Sequence, residues 1–160
     1  MSEQSIEQVM SRRYLQLGIL LFFMGLVTGF GLPLMENPRM GLASHLEGVL
    51  NGVFLVVLGL MWHRVQLSVT AQRVAFGLVV YGTFANWMAT LLGAIWGAGT
   101  MMPIAGLGHQ GTSIQESVIG LLLFSLSAAM LVVCLMVLWG LRNPRAVAPA
   151  RADLVNTRTA

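Results

Sequence analysis

The feature that most constrains this chain is a set of four long apolar runs, at about residues 14–35, 45–62, 74–96 and 114–141. Hydrocarbon offers backbone N–H and C=O groups no partner, so a single segment entering a bilayer must satisfy them within itself, as a helix. At 1.5 Å per residue even the shortest run reaches about 27 Å, close to the ~30 Å hydrocarbon core. Composition agrees, with 56% hydrophobic and 9% charged residues among 160, against roughly 45–50% and 25% in soluble domains. The expected fold is an all-α integral membrane protein. A single four-transmembrane-helix bundle domain fills residues 1–141, and a polar C-terminal tail follows over 142–160.

The segments between the runs carry the helix boundaries. Residues 1–13 form a polar lead-in without the small-residue cleavage site of a removable signal peptide. Pro33 and the cluster Glu36-Asn37-Pro38-Arg39 end the first helix, because proline removes a donor and disfavours helix in the residue before it. Ser44 with Glu47, and Ser113 with Glu116, fit the S-x-x-E capping box, so the second and fourth spans are expected to start there. That gives both glutamates a capping role, with support of His45 as the alternative for Glu47. Cys134, the single cysteine, reads as a small buried hydrophobe. His63, beside Arg64 at a helix end, reads as a solvated interfacial residue.

Charge gives orientation and excludes a function class. The sequence pI is near 10, but the basic residues are scattered arginines with no basic run and no interleaved aromatics, which argues against nucleic acid as a partner. Eight of the nine lie at the N-terminus, between the second and third runs, or in the tail (Arg12, Arg13, Arg64, Arg73, Arg142, Arg145, Arg151, Arg158); only Arg39 lies on the other side. The positive-inside rule then puts both termini in the cytoplasm, for a multi-pass protein of the inner membrane.

Polar groups inside the apolar runs are candidate functional residues, because hydrocarbon solvates them poorly. His45, Glu47 and Asn51 lie in the second run and Tyr81, Asn86 and Thr90 in the third. The second helix runs inward from its outer end at His45, with Asn51 about 9 Å deeper, and Asn86 lies roughly 15 Å below the outer end of the third. Histidine and both amides therefore share the outer half of the bilayer, beneath a glycine-rich loop, 97–112, that carries His109. At 100° per residue Gly48 and Gly52 fall under His45, while Asn51 turns about 120° away. The glycine strip would admit a flat group such as a porphyrin beneath an axial imidazole, or simply a close-packed helix. A site using both His45 and Asn51 forms most easily between subunits of a closed cyclic homo-oligomer.

The pattern of these residues resembles a known family. His45 followed six positions later by Asn51-Gly52, then Ala85-Asn86 in the third of four short membrane helices, is similar to the styrene oxide isomerase family of small haem-binding membrane isomerases. The stretches from Asn37 to Gly52, Tyr81 to Trp87, Met102 to Gly106, and Gln115-Glu116 resemble its hydroxylaminobenzene mutase branch more closely, and the likeness runs from about Tyr14 to Leu141. The resemblance implies haem b on His45, bounded by Gly48 and Gly52, between the protomers of a trimer, with ferric iron as Lewis acid. It further implies Asn51 and Asn86 as catalytic residues acting on a small aromatic substrate taken from the lipid. The isomerase pattern has a tyrosine one helical turn after Asn86, where this chain has Thr90, and loss of that phenol favours the mutase over epoxide isomerisation.

The expected reaction is conversion of hydroxylaminobenzene-type aryl hydroxylamines to ortho-aminophenols, with epoxide isomerisation of the styrene oxide type as the alternative. Glu47, Tyr81, Thr90, His109 and Glu116 are secondary site candidates. A small membrane transporter or a non-enzymatic scaffold also fits four short spans, but a multidrug-type transporter needs a carboxylate inside its first span, and residues 14–35 contain none. A haem electron carrier would fix two axial ligands, and only His45 is suitably placed. Reporter fusions after Arg73 and after Arg142 should read cytoplasmic and one near Gly106 external. A cytoplasmic reading at Gly106 would break the four-span topology.

Overall fold

The structure, a computed structural model, describes residues 3–142; the tail beyond Arg142 lies outside the described residues. Four long helices, α1 (Glu3–Phe30), α2 (Pro38–Met61), α3 (Val69–Trp96) and α5 (Ser113–Gly140), are joined by short connections. The last connection contains a one-turn helix, α4 (Pro103–Gly106), and 3-10 turns follow α1 and α2 at Leu32–Leu34 and Trp62–Arg64. The long helices are each long and apolar enough to cross a membrane.

Several boundaries differ from the sequence reading, α1 ending at Phe30 and α3 starting at Val69 among them, and three of the differences have a clear local reason. The polar lead-in continues as the first turns of α1, because residues 3–13 contain no proline or glycine and Ile6, Met10 and Tyr14 make a buried i, i+4, i+8 stripe. Helix α2 starts at Pro38 instead of near Ser44. Asn37 is its N-cap, its side chain accepting from Met40 N at 3.0 Å, and proline occupies the first turn, where its missing N–H costs nothing. Glu47 thus sits well inside the helix and caps nothing. At α5 the capping box is formed one residue earlier, by Thr112 and Gln115, which exchange bonds of 3.4 and 2.8 Å, so Glu116 has no capping role either.

The helices pack antiparallel in a row, α1 on α2, α2 on α3 and α3 on α5. Glycines let the first pair meet backbone to backbone. A Cβ at Gly48 would lie 2.5 Å from Gly25 Cα, and one at Gly52 would lie 2.6 Å from Phe22 N. Helices in lipid gain little from the hydrophobic effect, so such close van der Waals approach is a principal source of association. Hydrogen bonds across the row add direction. Ser44 Oγ donates to Trp87 O at 3.2 Å, Trp87 Nε1 donates to Thr28 Oγ1 at 3.1 Å, and Ser11 Oγ donates to Gly59 O at 2.8 Å.

At the arginine-bearing end, the buried Tyr14 ring lies between Trp62 and Phe76, each with its centroid 4.9 Å away. Helix α5 packs chiefly on α3, which leaves Leu121, Phe124, Leu131 and Leu135 exposed. Cys134 is exposed on this helix too, in place of the burial expected of it, because α5 has one neighbour and not a ring of them.

The α1/α2 contact predicts contrasting effects of two glycine substitutions. In Gly48→Leu the Cβ alone would collide with the α1 backbone at Gly25, so the substitution should destabilise the protein by about 1–3 kcal/mol or more. Nothing lies within 4 Å of a Cβ built on Gly77, so Gly77→Ala should be neutral or stabilise by up to about 1 kcal/mol. Thermal unfolding in detergent, followed by circular dichroism, checks both.

Candidate functional site

The close approach of α1 and α2 fixes which way each side chain of α2 faces. Glu47 lies about 200° around the helix from His45 and Asn51 about 40° from Glu47, so the histidine and the carboxylate serve different neighbours.

His45 faces α1. Its Nδ1 lies 2.8 Å from Gly25 O, and a Cβ added to Gly29 would lie 2.9 Å from the same nitrogen. A carbonyl can only accept, so Nδ1 carries a proton, and in the neutral ring Nε2 keeps its lone pair. A carbonyl-anchored imidazole with a free Nε2 is the arrangement found in metal-ligating histidines, where the backbone bond sets tautomer and ring direction. His45 therefore fits an axial ligand. Gly48 and Gly52 do not provide the open strip expected beneath it, because the backbone of α1 at Gly25, Gly18 and Phe22 fills that space. Among the described residues no group of three or more His, Cys, Asp or Glu side chains could hold a metal ion; an axial haem ligand needs no such group.

On the opposite side of α2, Glu47 Oε2 accepts from Asn51 Nδ2 at 3.1 Å, one helical turn away, and from Asn86 Nδ2 at 2.5 Å, across the interface with α3. All three side chains are half-buried. The two amides that sequence places at similar depth do meet, and they meet on the carboxylate. Sequence reasoning gave Glu47 to a helix cap because the S-x-x-E spacing is also the spacing of a box; the competing start signal, Asn37-Pro38, is present in the sequence and is the one the chain uses.

The remaining candidates are elsewhere. Thr90 Oγ1 donates back to Asn86 O at 3.1 Å and Trp87 O at 3.0 Å, so its hydroxyl is spent on its own helix. The Tyr81 hydroxyl pairs with Ser125 Oγ on α5. His109 is exposed in the connection after α4. Glu116 ties that connection down, its carboxylate accepting from the backbone N–H groups of Gly99 at 3.1 Å, Thr100 at 3.2 Å and Gly111 at 2.9 Å.

Asn37, which sequence reasoning placed only in a helix break, is a second tie. Besides capping α2, its side-chain Nδ2 donates to Ala105 O at 3.2 Å and Gly106 O at 3.0 Å, and its backbone N–H donates to Ala94 O at 3.0 Å. Together these bonds hold the α3–α5 connection rigidly over the ends of α2 and α3. A surface cleft of about 290 Å³ at the arginine-bearing end, lined by Ile6, Val9, Met10, Arg13, Arg73 and Phe76, touches none of the candidate residues.

This geometry belongs to a chain with informative relatives. A family profile described as styrene oxide isomerase matches residues 10–142. The hydroxylaminobenzene mutase HabB of Ectopseudomonas oleovorans is 60% identical over 150 residues, which cover 93% of this chain and 89% of that protein. The hydroxylaminobenzene mutase HabA of the same organism is 45% identical over 125 residues, covering 78% of this chain and 93% of that protein. No solved structure matches significantly. With the family profile spanning all four helices and both mutases matching over most of their length, the chain belongs to the styrene oxide isomerase family and is an isomerase of the mutase type.

Proposed function

We propose that this protein converts aryl hydroxylamines of the hydroxylaminobenzene kind to ortho-aminophenols. The observation that carries the reading is the pair of amides, Asn51 and Asn86, converging on one carboxylate inside the membrane-spanning part of a chain 60% identical to HabB. Substrate and product are isomers, so the reaction needs no external oxidant or reductant. The N–O bond breaks with its electrons going to oxygen, positive charge spreads over nitrogen and ring, a C–O bond forms at the ortho carbon, and the proton lost from that carbon is balanced by one gained at nitrogen.

The chain's own residues have three tasks in such a reaction. Asn51 and Asn86 orient the N–H and O–H of the hydroxylamine without adding net charge. The negative carboxylate of Glu47 lies beside the place where positive charge develops, and in a medium of low dielectric that proximity weighs more than it would in water. Apolar surroundings keep bulk water from capturing the ring before the hydroxyl does. His45, through its free Nε2, would hold haem b, whose ferric iron supplies Lewis acidity toward the substrate oxygen.

Because His45 and the amide cluster face opposite sides of α2, the working site brings the histidine of one subunit to the amides of the next. A closed cyclic oligomer, a trimer by the family resemblance, provides this arrangement. The α3–α5 connection lies on the external side of the inner membrane, and the substrate enters from the lipid.

His45→Ala should abolish the Soret band and the conversion of hydroxylaminobenzene to aminophenol together. Asn51→Ala and Asn86→Ala should keep the haem spectrum while each loses roughly 10²–10³ in rate, and His63→Ala should be nearly silent. Absorption spectra and product chromatography of the purified variants check this. A wild type that never converts the hydroxylamine would overturn the function, and a His45→Ala protein that turns over without haem would move the acid role to a protein group.

A further inference from the structure

The polarity of the Glu47 cluster is set by its hydrogen bonds. A carboxylate can only accept, so each amide meets it through the NH2 side, and the planar group turns Oδ1 away. Among the described residues neither Asn51 Oδ1, nor Asn86 Oδ1, nor Glu47 Oε1 accepts a hydrogen bond, and none of the three is a sealed atom without a partner. Each of these oxygens therefore remains accessible with its lone pairs unspent. Each amide keeps one spare N–H, but three oxygens with two lone pairs each outnumber those donors. The cluster presents an acceptor surface.

We propose that Glu47 is a specificity-determining positioning residue: by holding both amides through nitrogen, it makes the site select ligands that carry N–H and O–H donors on neighbouring atoms and disfavour ligands that offer only acceptors. Resting on the mutase reading above, this deepens it. An aryl hydroxylamine has both donors, whereas an aryl epoxide has none. A ligand without donors leaves the oxygens desolvated and unpaired, and a site built around hydrogen bonds rejects such a ligand far more strongly than an apolar pocket rejects a misfit. Glutamine at position 47 could offer either its NH2 or its carbonyl to the asparagines, so the amides would no longer be held in one sense.

Equilibrium binding to the purified full-length protein in detergent tests this without relying on turnover. The probes are 2-aminophenol and 2-fluorotoluene, similar in size and shape, the second without any N–H or O–H donor. The reading is the ratio of their dissociation constants, and the change in that ratio between variants cancels the different partition of the two probes into detergent. From wild type to Glu47→Gln the ratio should shift about tenfold or more away from 2-aminophenol. A Glu47→Gln protein of wild-type Tm whose ratio stays within about twofold of the wild type would overturn the proposal.

Where Glu47→Gln does not fold, Asn51→Leu and Asn86→Leu each remove one acceptor, and each should lower the ratio by about threefold or more. Wild-type ratios in both would overturn the proposal equally. Failure of the mutase reading looks different: the ratio would still fall from wild type to Glu47→Gln, supporting the role of Glu47, yet the wild type would leave N-phenylhydroxylamine unconverted.

Discussion

Backbone contact between α1 and α2 is the constraint on which the rest of this molecule depends. Where Gly48 meets Gly25 and Gly52 meets Phe22 there is no room for a Cβ, so α2 can rotate little about its axis without separating the two helices. With that rotation fixed, His45 has to point at the Gly25 carbonyl and Glu47 toward Asn86 of α3, with Asn51 one turn along α2 bonded to the same carboxylate. The glycines act on the site indirectly. They determine which functional groups share a face, and they occupy no part of the chemistry.

The opposite face of α2 solves an electrostatic problem. A lone carboxylate in hydrocarbon is costly, and the cost falls when hydrogen-bond donors surround the charge. Two amide donors, one from the same helix and one from the next, supply part of that solvation and leave the second oxygen of Glu47 uncommitted. The arrangement gives α2 and α3 a polar tie inside an otherwise apolar interface, alongside the buried Ser44 bond to Trp87 O. A group that needs partners for stability and keeps acceptor capacity in reserve is suited to meeting a ligand.

The row of helices has a consequence for assembly. A closed square of four helices would bury one face of each; here α5 touches chiefly α3, and half-buried polar side chains lie on α2 and α3. In a bilayer the apolar flank of α5 is at home against lipid. The flank that carries Glu47, Asn51 and Asn86 is not, because lipid chains cannot hydrogen-bond. The cyclic oligomer proposed above would bury that flank against another subunit, in accord with the separation of His45 from the amides.

The sequence by itself determined the number of spans, the helical class and the residues worth attention, because bilayer thickness and backbone hydrogen bonding leave few solutions for a long apolar run. It also held the true start of α2 in Asn37-Pro38, although the Ser44/Glu47 spacing offered an equally legible rival. Local pattern could not choose between them, since a capping box and an intramembrane carboxylate one helical turn from an asparagine look alike along the chain. Only tertiary structure decided that Gly48 and Gly52 are consumed by helix packing and that Asn86 reaches Glu47. It also decided that Thr90 and Tyr81 are engaged elsewhere. Each of these facts depends on the rotation of one helix against another, which is set by backbone approach between segments 20 to 40 residues apart and has no signature within either segment alone.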